Sequence, residues 1–421
     1  MSTTARVLLG LLLGAVIGLL MAWGNPAFAA RAADLVQPIG RLWLNALQMT
    51  VVPLVAALVV TGVNTASDAA ASGRTARRAM ATFVVLLSAG AAFAAIAAPL
   101  LLSLLPRRPG LAESLRAATD TTTQLSVPAS LGDWFAAVIP SNALAAAAQS
   151  AMLPLVVFAL FFGFALTRIE SGRRERLLEV VQTVADVMIV IVRWVLWAAP
   201  LGVFALVLAV CARVGSGMIG AFGYYILLQS ALYIVATLML YPVAVIFGGE
   251  QARRFAAAIL PAQTIAASTQ SSLASLPAMI ESARTRLGHP LGVVSLVLPM
   301  AVSLFRITSP IQYVGVAAFI AWAYGVDLSA AQLAAGAALA VVISMGSVGL
   351  PGQVSFMATN MPVTQAMGLP VEPLGLLLAL DNIPDVFATV GNVTADLTAT
   401  SVVARPLPRA EVESAAGVPE E

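Results

Sequence analysis

The sequence contains no lysine, a single cysteine, Cys211, and a single histidine, His289. One cysteine excludes a disulfide framework within the chain and any cysteine-based metal cluster. Charge is scarce as well. Only 10% of the 421 residues are charged, where a soluble chain carries about a quarter. No Walker A, HExxH or nucleophile-elbow pattern occurs, so an ATP-driven pump cannot reside in this chain alone. No basic patch interleaved with aromatics occurs, and nucleic-acid binding has no support. All 22 basic residues are arginine, which reads as a GC-rich coding bias. No resident cofactor is expected.

What the sequence does have is apolar length. Hydrophobic residues make up 60%, and they recur in runs long enough to cross about 30 Å of hydrocarbon. The runs are continuous and do not alternate with period two, which excludes a β-barrel reading. Eight spans are expected at about 7–23, 44–64, 79–105, 146–167, 178–209, 218–248, 291–323 and 373–404. Arg6, the run Val7 to Trp23 and the following PAFAA imitate a secretion signal. At 17 residues the run is long for such a signal, and an uncleaved first span is expected.

Two further apolar segments, 252–286 and 329–368, do not fit single crossings. The first is interrupted by STQSSLASLP (268–277), the second by GSVGLPGQ (346–353). Each half is too short to span alone, so each segment reads as a re-entrant helical hairpin. The fold class expected is an all-α membrane protein of eight transmembrane helices and two re-entrant hairpins.

The arginines orient this topology. With a cytoplasmic N-terminus, the inner segments hold Arg6, Arg74, Arg77, Arg78, Arg168, Arg173, Arg174, Arg176, Arg253, Arg254, Arg284, Arg286, Arg405 and Arg409. The outer ones hold Arg31, Arg41, Arg107, Arg108, Arg116 and Arg213. That is 14 against 6, with Arg193 and Arg306 left inside spans. The positive-inside rule then puts both termini in the cytoplasm, and counting either hairpin as one crossing would put Arg405 and Arg409 outside. The polar loop 106–133 is assigned no function, and the acidic tail 406–421 is expected to be disordered.

Irregular backbone at membrane depth is tolerated only where protein or water covers it. Two broken hairpins in the second half therefore point to a shared polar site. Half-helix N-termini suit an anion such as a carboxylate, and free carbonyls suit a cation. The last span is the most polar. Asp385, Thr389, Asn392 and Asp396 follow one another at spacings of 4, 3 and 4, one helical face, and Asp381 continues it. Carboxylates in a span face a bundle interior or a cavity. Arg306, at mid-span, needs an anionic partner. Asp385, Asp396 or a substrate carboxylate would serve, unless the side chain snorkels to a water-filled cavity.

These residues resemble the dicarboxylate/amino acid:cation symporter family, the glutamate transporter homologues. The likeness is carried by NALQMTVVPLVAALVVTGV (45–63), IPSNALAAAAQSAMLPLVVFALFFGFAL (139–166), SSLASLP (271–277) and DNIPDVFATVGNVTADLTATSVVAR (381–405). It covers most of the chain in order, and the last motif is the specific one. The resemblance implies a homotrimer in the bacterial inner membrane, transporting an amino acid or dicarboxylate by alternating access. It implies a scaffold part in 1–78 and 106–217, and a moving part in 79–105 and 218–405. Substrate contacts are expected at Ser271, Ser272, Gly349, Leu350, Pro351, Arg306, Asp385, Thr389 and Asn392. Of these, Asp385 would take an α-amino group, Asn392 an α-carboxylate, and Gly349–Pro351 would form the extracellular gate. Coupling to Na+ or H+ is expected to involve Asp396, Asn392, Asp381 and Thr308.

The departures from the family pattern carry their own expectations. Ala388 stands where acidic-substrate members place an arginine. Where they carry NMDGT in the seventh helix, this chain reads RITSP, with Arg306 at the Met or the Asn position according to register. Either way a carboxylate is lost and a guanidinium gained. Transport that is proton-coupled or sodium-independent is therefore expected, with sodium symport as the alternative. A channel reusing the broken helices, and a membrane enzyme, are the competing classes. For the enzyme, Asp385 and Asp396 lie eleven residues apart, about 16 Å along one helix, too far to share a proton.

Overall fold

The computed structural model describes residues 3–71, 73–106, 139–215, 217–346 and 352–405. The tip of the second hairpin at Gly349, Leu350 and Pro351, nearly all of the 106–133 loop and the tail 406–421 lie outside the described residues. Among the described residues the regular structure is helical: α1 (Thr3–Gly24), α2 (Pro26–Gln48), α3 (Val51–Ala71), α4 (Arg74–Ser103), α5 (Ala143–Ala148), α6 (Met152–Leu166), α7 (Ser171–Trp197), α8 (Ala199–Val214), α9 (Gly217–Ile246), α10 (Ala252–Thr269), α11 (Ser272–Glu281), a π-helical turn (Ser282–Arg286), α12 (Leu291–Leu304), α13 (Thr308–Ala323), α14 (Ala330–Gly346), α15 (Gly352–Ala366), α16 (Leu374–Leu380) and α17 (Pro384–Ala404). Among the described residues, six helical stretches are long and apolar enough to cross a membrane, and four shorter apolar helices accompany them. The protein is an all-α membrane protein.

Five sequence-predicted spans are not continuous helices. The breaks fall at Met49–Thr50, Gln149–Ala151, Ala198, Phe305–Ile307 and Asp381–Ile383. In each case a proline sits in the first turn of the following helix: Pro53, Pro154, Pro200, Pro310 and Pro384. A proline there loses no intrahelical bond, but its ring clashes with the carbonyl four residues back and stops the preceding helix. Residues 24–43, read as an outer connection, form most of α2. Asn25 caps it by accepting from the Phe28 N–H.

The first helix packs on α8 through Gly10, Gly14 and Gly18. A Cβ at these positions would stand 2.4–2.7 Å from the carbonyl oxygens of Pro200, Phe204 and Leu208. Small residues four apart let two membrane helices touch backbone to backbone. One group joins α1, α2 and α8, with α3 on α6 and α7. A second gathers round α17, which contacts α9, α10, α12 and α4, while α13 packs on α4 and α9. α14 and α15 touch members of both groups.

In the segment read as the first hairpin, α10 and α11 pack on each other and on α17. The chain turns between them at Gln270, in the left-handed region at φ 51°. Ser271 caps α11, its Oγ accepting from the Ala274 N–H at 3.2 Å.

Candidate functional site

Two of the helix breaks, Phe305–Ile307 and Asp381–Ile383, carry the polar residues Arg306, Asp381 and Asn382. At the α12–α13 break Phe305 is fully buried and stacks on Phe83 of α4, with ring centroids 4.8 Å apart. This anchor leaves the next residue, Arg306, partly open. Across from it, Asp381 ends α16 and Asp385 stands in the first turn of α17.

A cleft enclosing about 750 Å³ of empty space, part of it open to solvent, lies between these breaks, α9 and the Gln270 turn. Of the sequence-predicted site residues, Ser272, Arg306, Thr308, Asp381, Asp385, Thr389 and Asn392 line it. Ser271 does not, and its hydroxyl is engaged in capping α11. Asp396 is fully buried behind the cleft wall, and neither carboxylate oxygen has a hydrogen-bond partner. Gly349, Leu350 and Pro351 are among the residues outside the description.

Hydrogen bonds fix what each group can offer. Asn392 Oδ1 accepts from the Thr308 backbone N–H at 3.1 Å and from its hydroxyl at 2.9 Å. A backbone N–H can only donate, so the Asn392 amide oxygen faces α13 and its NH2 remains a donor elsewhere. The Thr389 hydroxyl donates to the Asp385 carbonyl at 2.9 Å, which leaves its lone pairs free. Asp381 accepts at both oxygens, from Tyr225 OH at 2.9 Å and from Gln312 Nε2 at 2.7 Å. The Asp385 side chain makes no hydrogen bond among the described residues.

Close packing holds the frame. A Cβ on Gly391 of α17 would meet Thr237 Oγ1 of α9 and Thr308 Cγ2 of α13, both at 2.9 Å. Arg306 interacts electrostatically with both Asp385 and Asp396, yet none of the ion pairs among the described residues involves it. The cleft therefore combines an open carboxylate, a guanidinium without a salt-bridge partner, and hydroxyl and amide groups of both polarities. That inventory suits a small zwitterion better than an apolar ligand.

Sequence reasoning missed Tyr233, Gln270, Ser309, Gln312, Tyr313 and Asn382 as lining residues, and Tyr225 as a partner of Asp381. A signal for part of this set was present. Tyr225, Gln229, Tyr233, Thr237 and Tyr241 recur every four residues in an otherwise apolar span, one face of a helix.

A model of the sodium:dicarboxylate symporter family matches residues 3–406. The chain is 27% identical over 408 residues to the proton/glutamate-aspartate symporter of Escherichia coli (strain K12), covering 95% of this chain and 92% of that protein. It is 28% identical over 416 residues to the proton/sodium-glutamate symport protein of Bacillus caldotenax, covering 95% and 93%. It is 28% identical over 400 residues to the C4-dicarboxylate transport protein of Rhodopseudomonas palustris (strain BisB5), covering 93% and 86%. The protein is thus a multi-pass membrane transporter and not an enzyme, and it belongs to the sodium:dicarboxylate symporter family.

Proposed function

We propose that this protein is a secondary transporter of a small amino acid with an uncharged side chain, working by alternating access without sodium. The observation that carries the reading is the single open guanidinium, Arg306, in a cleft that also holds Asp381 and Asp385. A zwitterion can set its ammonium on Asp385 and the Thr389 lone pairs, and its carboxylate towards the Asn392 NH2, Ser272 and Arg306. A dicarboxylate brings two negative charges to two carboxylates and one cation. The relatives named for glutamate, aspartate and C4-dicarboxylates make the solute class a small organic acid or amino acid. Ala388, buried and apolar in this chain, offers no charge to an acidic side chain.

Sodium independence rests on two groups. The Asn392 oxygen, which the family resemblance assigns to a sodium site, is already committed to two hydrogen bonds from Thr308. Arg306 supplies a fixed positive charge. At an effective dielectric of about 20, a unit charge ~5 Å from a bound cation costs about 3 kcal/mol, on the order of a hundredfold in affinity. In this reading Arg306 takes the electrostatic place of the coupling cation beside Asp396. A second reading, sodium coupling, is favoured by one observation: the buried Asp396 carboxylate, with no hydrogen bond at either oxygen.

The topology read from the arginines completes the proposal, with both termini cytoplasmic, two re-entrant hairpins and a homotrimer held by the scaffold part. In support, tertiary contacts join segments assigned to the same side. Arg213 meets Asp34, both on segments read as outer, while Arg174 meets Asp68 and His289 meets Glu250, all on segments read as inner. The test is counterflow in proteoliposomes with radiolabelled amino acids and dicarboxylates. Exchange of amino acids with uncharged side chains, saturating and without sodium, supports the proposal. Exchange confined to dicarboxylates would refute the substrate class.

A further inference from the structure

We propose that Asp381 is the group that picks up and releases a coupling proton, with Tyr225 as its reversible hydrogen-bond partner. The proposal rests on the sodium-independent reading above, because accumulation against a gradient then needs another cation.

The local chemistry suits a carboxyl group that changes protonation state in place. Tyr225 OH donates to Asp381 Oδ1 at 2.9 Å, and Gln312 Nε2 donates to Oδ2 at 2.7 Å. A phenol is both donor and acceptor. When Asp381 gains a proton at Oδ1, that O–H can donate to the Tyr225 oxygen, and the Gln312 bond to Oδ2 is kept. The Tyr225 O–H, displaced from Oδ1 in that state, must turn to another acceptor. Asp385 lacks such a partner and faces the substrate ammonium. Asp396 is fully buried and does not line the cleft.

Charge gives the reason for a proton. The cleft wall and Asp396 behind it hold three carboxylates against the one guanidinium of Arg306. Charges without compensation are costly at membrane depth. A zwitterion adds no net charge, so a proton on Asp381 removes one of the two uncompensated charges before the loaded site moves. Tyr225 of α9 and Gln312 of α13 bond Asp381 directly, Tyr233 of α9 and Asp385 on its own segment act on it through their charge, and Tyr313 and Arg306 line the same cleft.

An independent observation supports a polar path to this group. Tyr233 is fully buried, lines the same cleft, and its hydroxyl has no hydrogen-bond partner. Gln229, one turn away, leaves its Oε1 equally unpartnered. A hydroxyl without a partner on the wall of a cleft open to solvent suits an ordered water, through which a proton can reach Asp381.

The experiment uses full-length protein in proteoliposomes and an equimolar mixture of radiolabelled L-amino acids, with and without an imposed pH gradient, in sodium-free and in sodium buffer. Wild type is expected to accumulate label several-fold above equilibrium when the outside is acid. Asp381→Asn should lose that response, giving the same uptake with and without the gradient, and Asp381→Glu should restore it. Tyr225→Phe, which keeps the ring, should displace the pH profile of uptake. Asp381→Asn accumulating in response to the gradient as wild type does would overturn the proposal, as would a wild type indifferent to pH in both buffers. A wild type that transports only in sodium buffer defeats the sodium-independent reading instead. The pH response measured in that buffer then still decides the role of Asp381.

Discussion

Asn392 on α17 and Thr308 at the start of α13 are tied by two hydrogen bonds to one atom, the Asn392 amide oxygen, at 3.1 and 2.9 Å. The tie orients the amide so that only its NH2 is left to meet a ligand. Removing the hydroxyl with Thr308→Val leaves one of the two donors. Amino-acid binding should weaken about tenfold, the equivalent of a hydrogen bond of about 1.4 kcal/mol. Isothermal calorimetry checks this, and unchanged affinity would show that the amide needs no such support.

Asp385 is the open carboxylate of the cleft, and an ammonium at this depth needs one. Asp385→Asn should lower affinity for an amino acid by a hundredfold or more, about 3 kcal/mol. Gel filtration should show the oligomer of wild type. Normal transport by this variant would mean a substrate without an amino group, and a dicarboxylate would replace the amino acid.

Ala388 faces the cleft where acidic-substrate members of the family carry an arginine. Ala388→Arg supplies a guanidinium able to bind a second carboxylate in bidentate fashion. Aspartate or glutamate should then compete for binding at least tenfold better than against wild type, and uncharged amino acids worse. Competition assays read both, and no change in preference would remove Ala388 from the specificity argument.

Gly391 holds α17 against α9 and α13 with no room for a methyl group. Gly391→Ala should cost about 1–3 kcal/mol from overpacking, seen as a lower midpoint of thermal unfolding in detergent. A midpoint equal to that of wild type would mean that the three helices separate without cost.

Much of the fold was legible because hydrocarbon imposes length and apolarity on every crossing. The hairpin between α10 and α11 was legible because Ser, Gln and Pro interrupt it at mid-segment. The broken spans were not, because proline is an ambiguous signal. Pro38, Pro99, Pro242, Pro261, Pro277, Pro299 and Pro362 lie inside helices. Only the tertiary setting separates them from Pro310 and Pro384. The α2 helix escaped because its first half, with Arg31 and Asp34, carries too much charge for a hydropathy reading. In the site, the carboxylates stood out because they are rare in this chain. Tyr225, Tyr233 and Gln312 did not, since single tyrosines and glutamines in spans are ordinary and their meaning comes from the aspartate they meet.

Arg306 should be indispensable if it stands in for a cation. Arg306→Gln leaves Asp385 and Asp396 without the one positive charge that acts on both. Uptake in sodium-free buffer should fall at least thirtyfold, about 2 kcal/mol. Full activity of Arg306→Gln without sodium would show that the guanidinium has no part in coupling.

The central claim, transport without sodium, is tested most directly by amino-acid uptake into proteoliposomes with choline replacing sodium on both sides. Uptake at the rate seen in sodium is the result expected from Arg306 and from the committed Asn392 oxygen. Uptake that collapses in choline and follows the sodium gradient would contradict the account, and would mean that Asp396 binds sodium despite the guanidinium beside it.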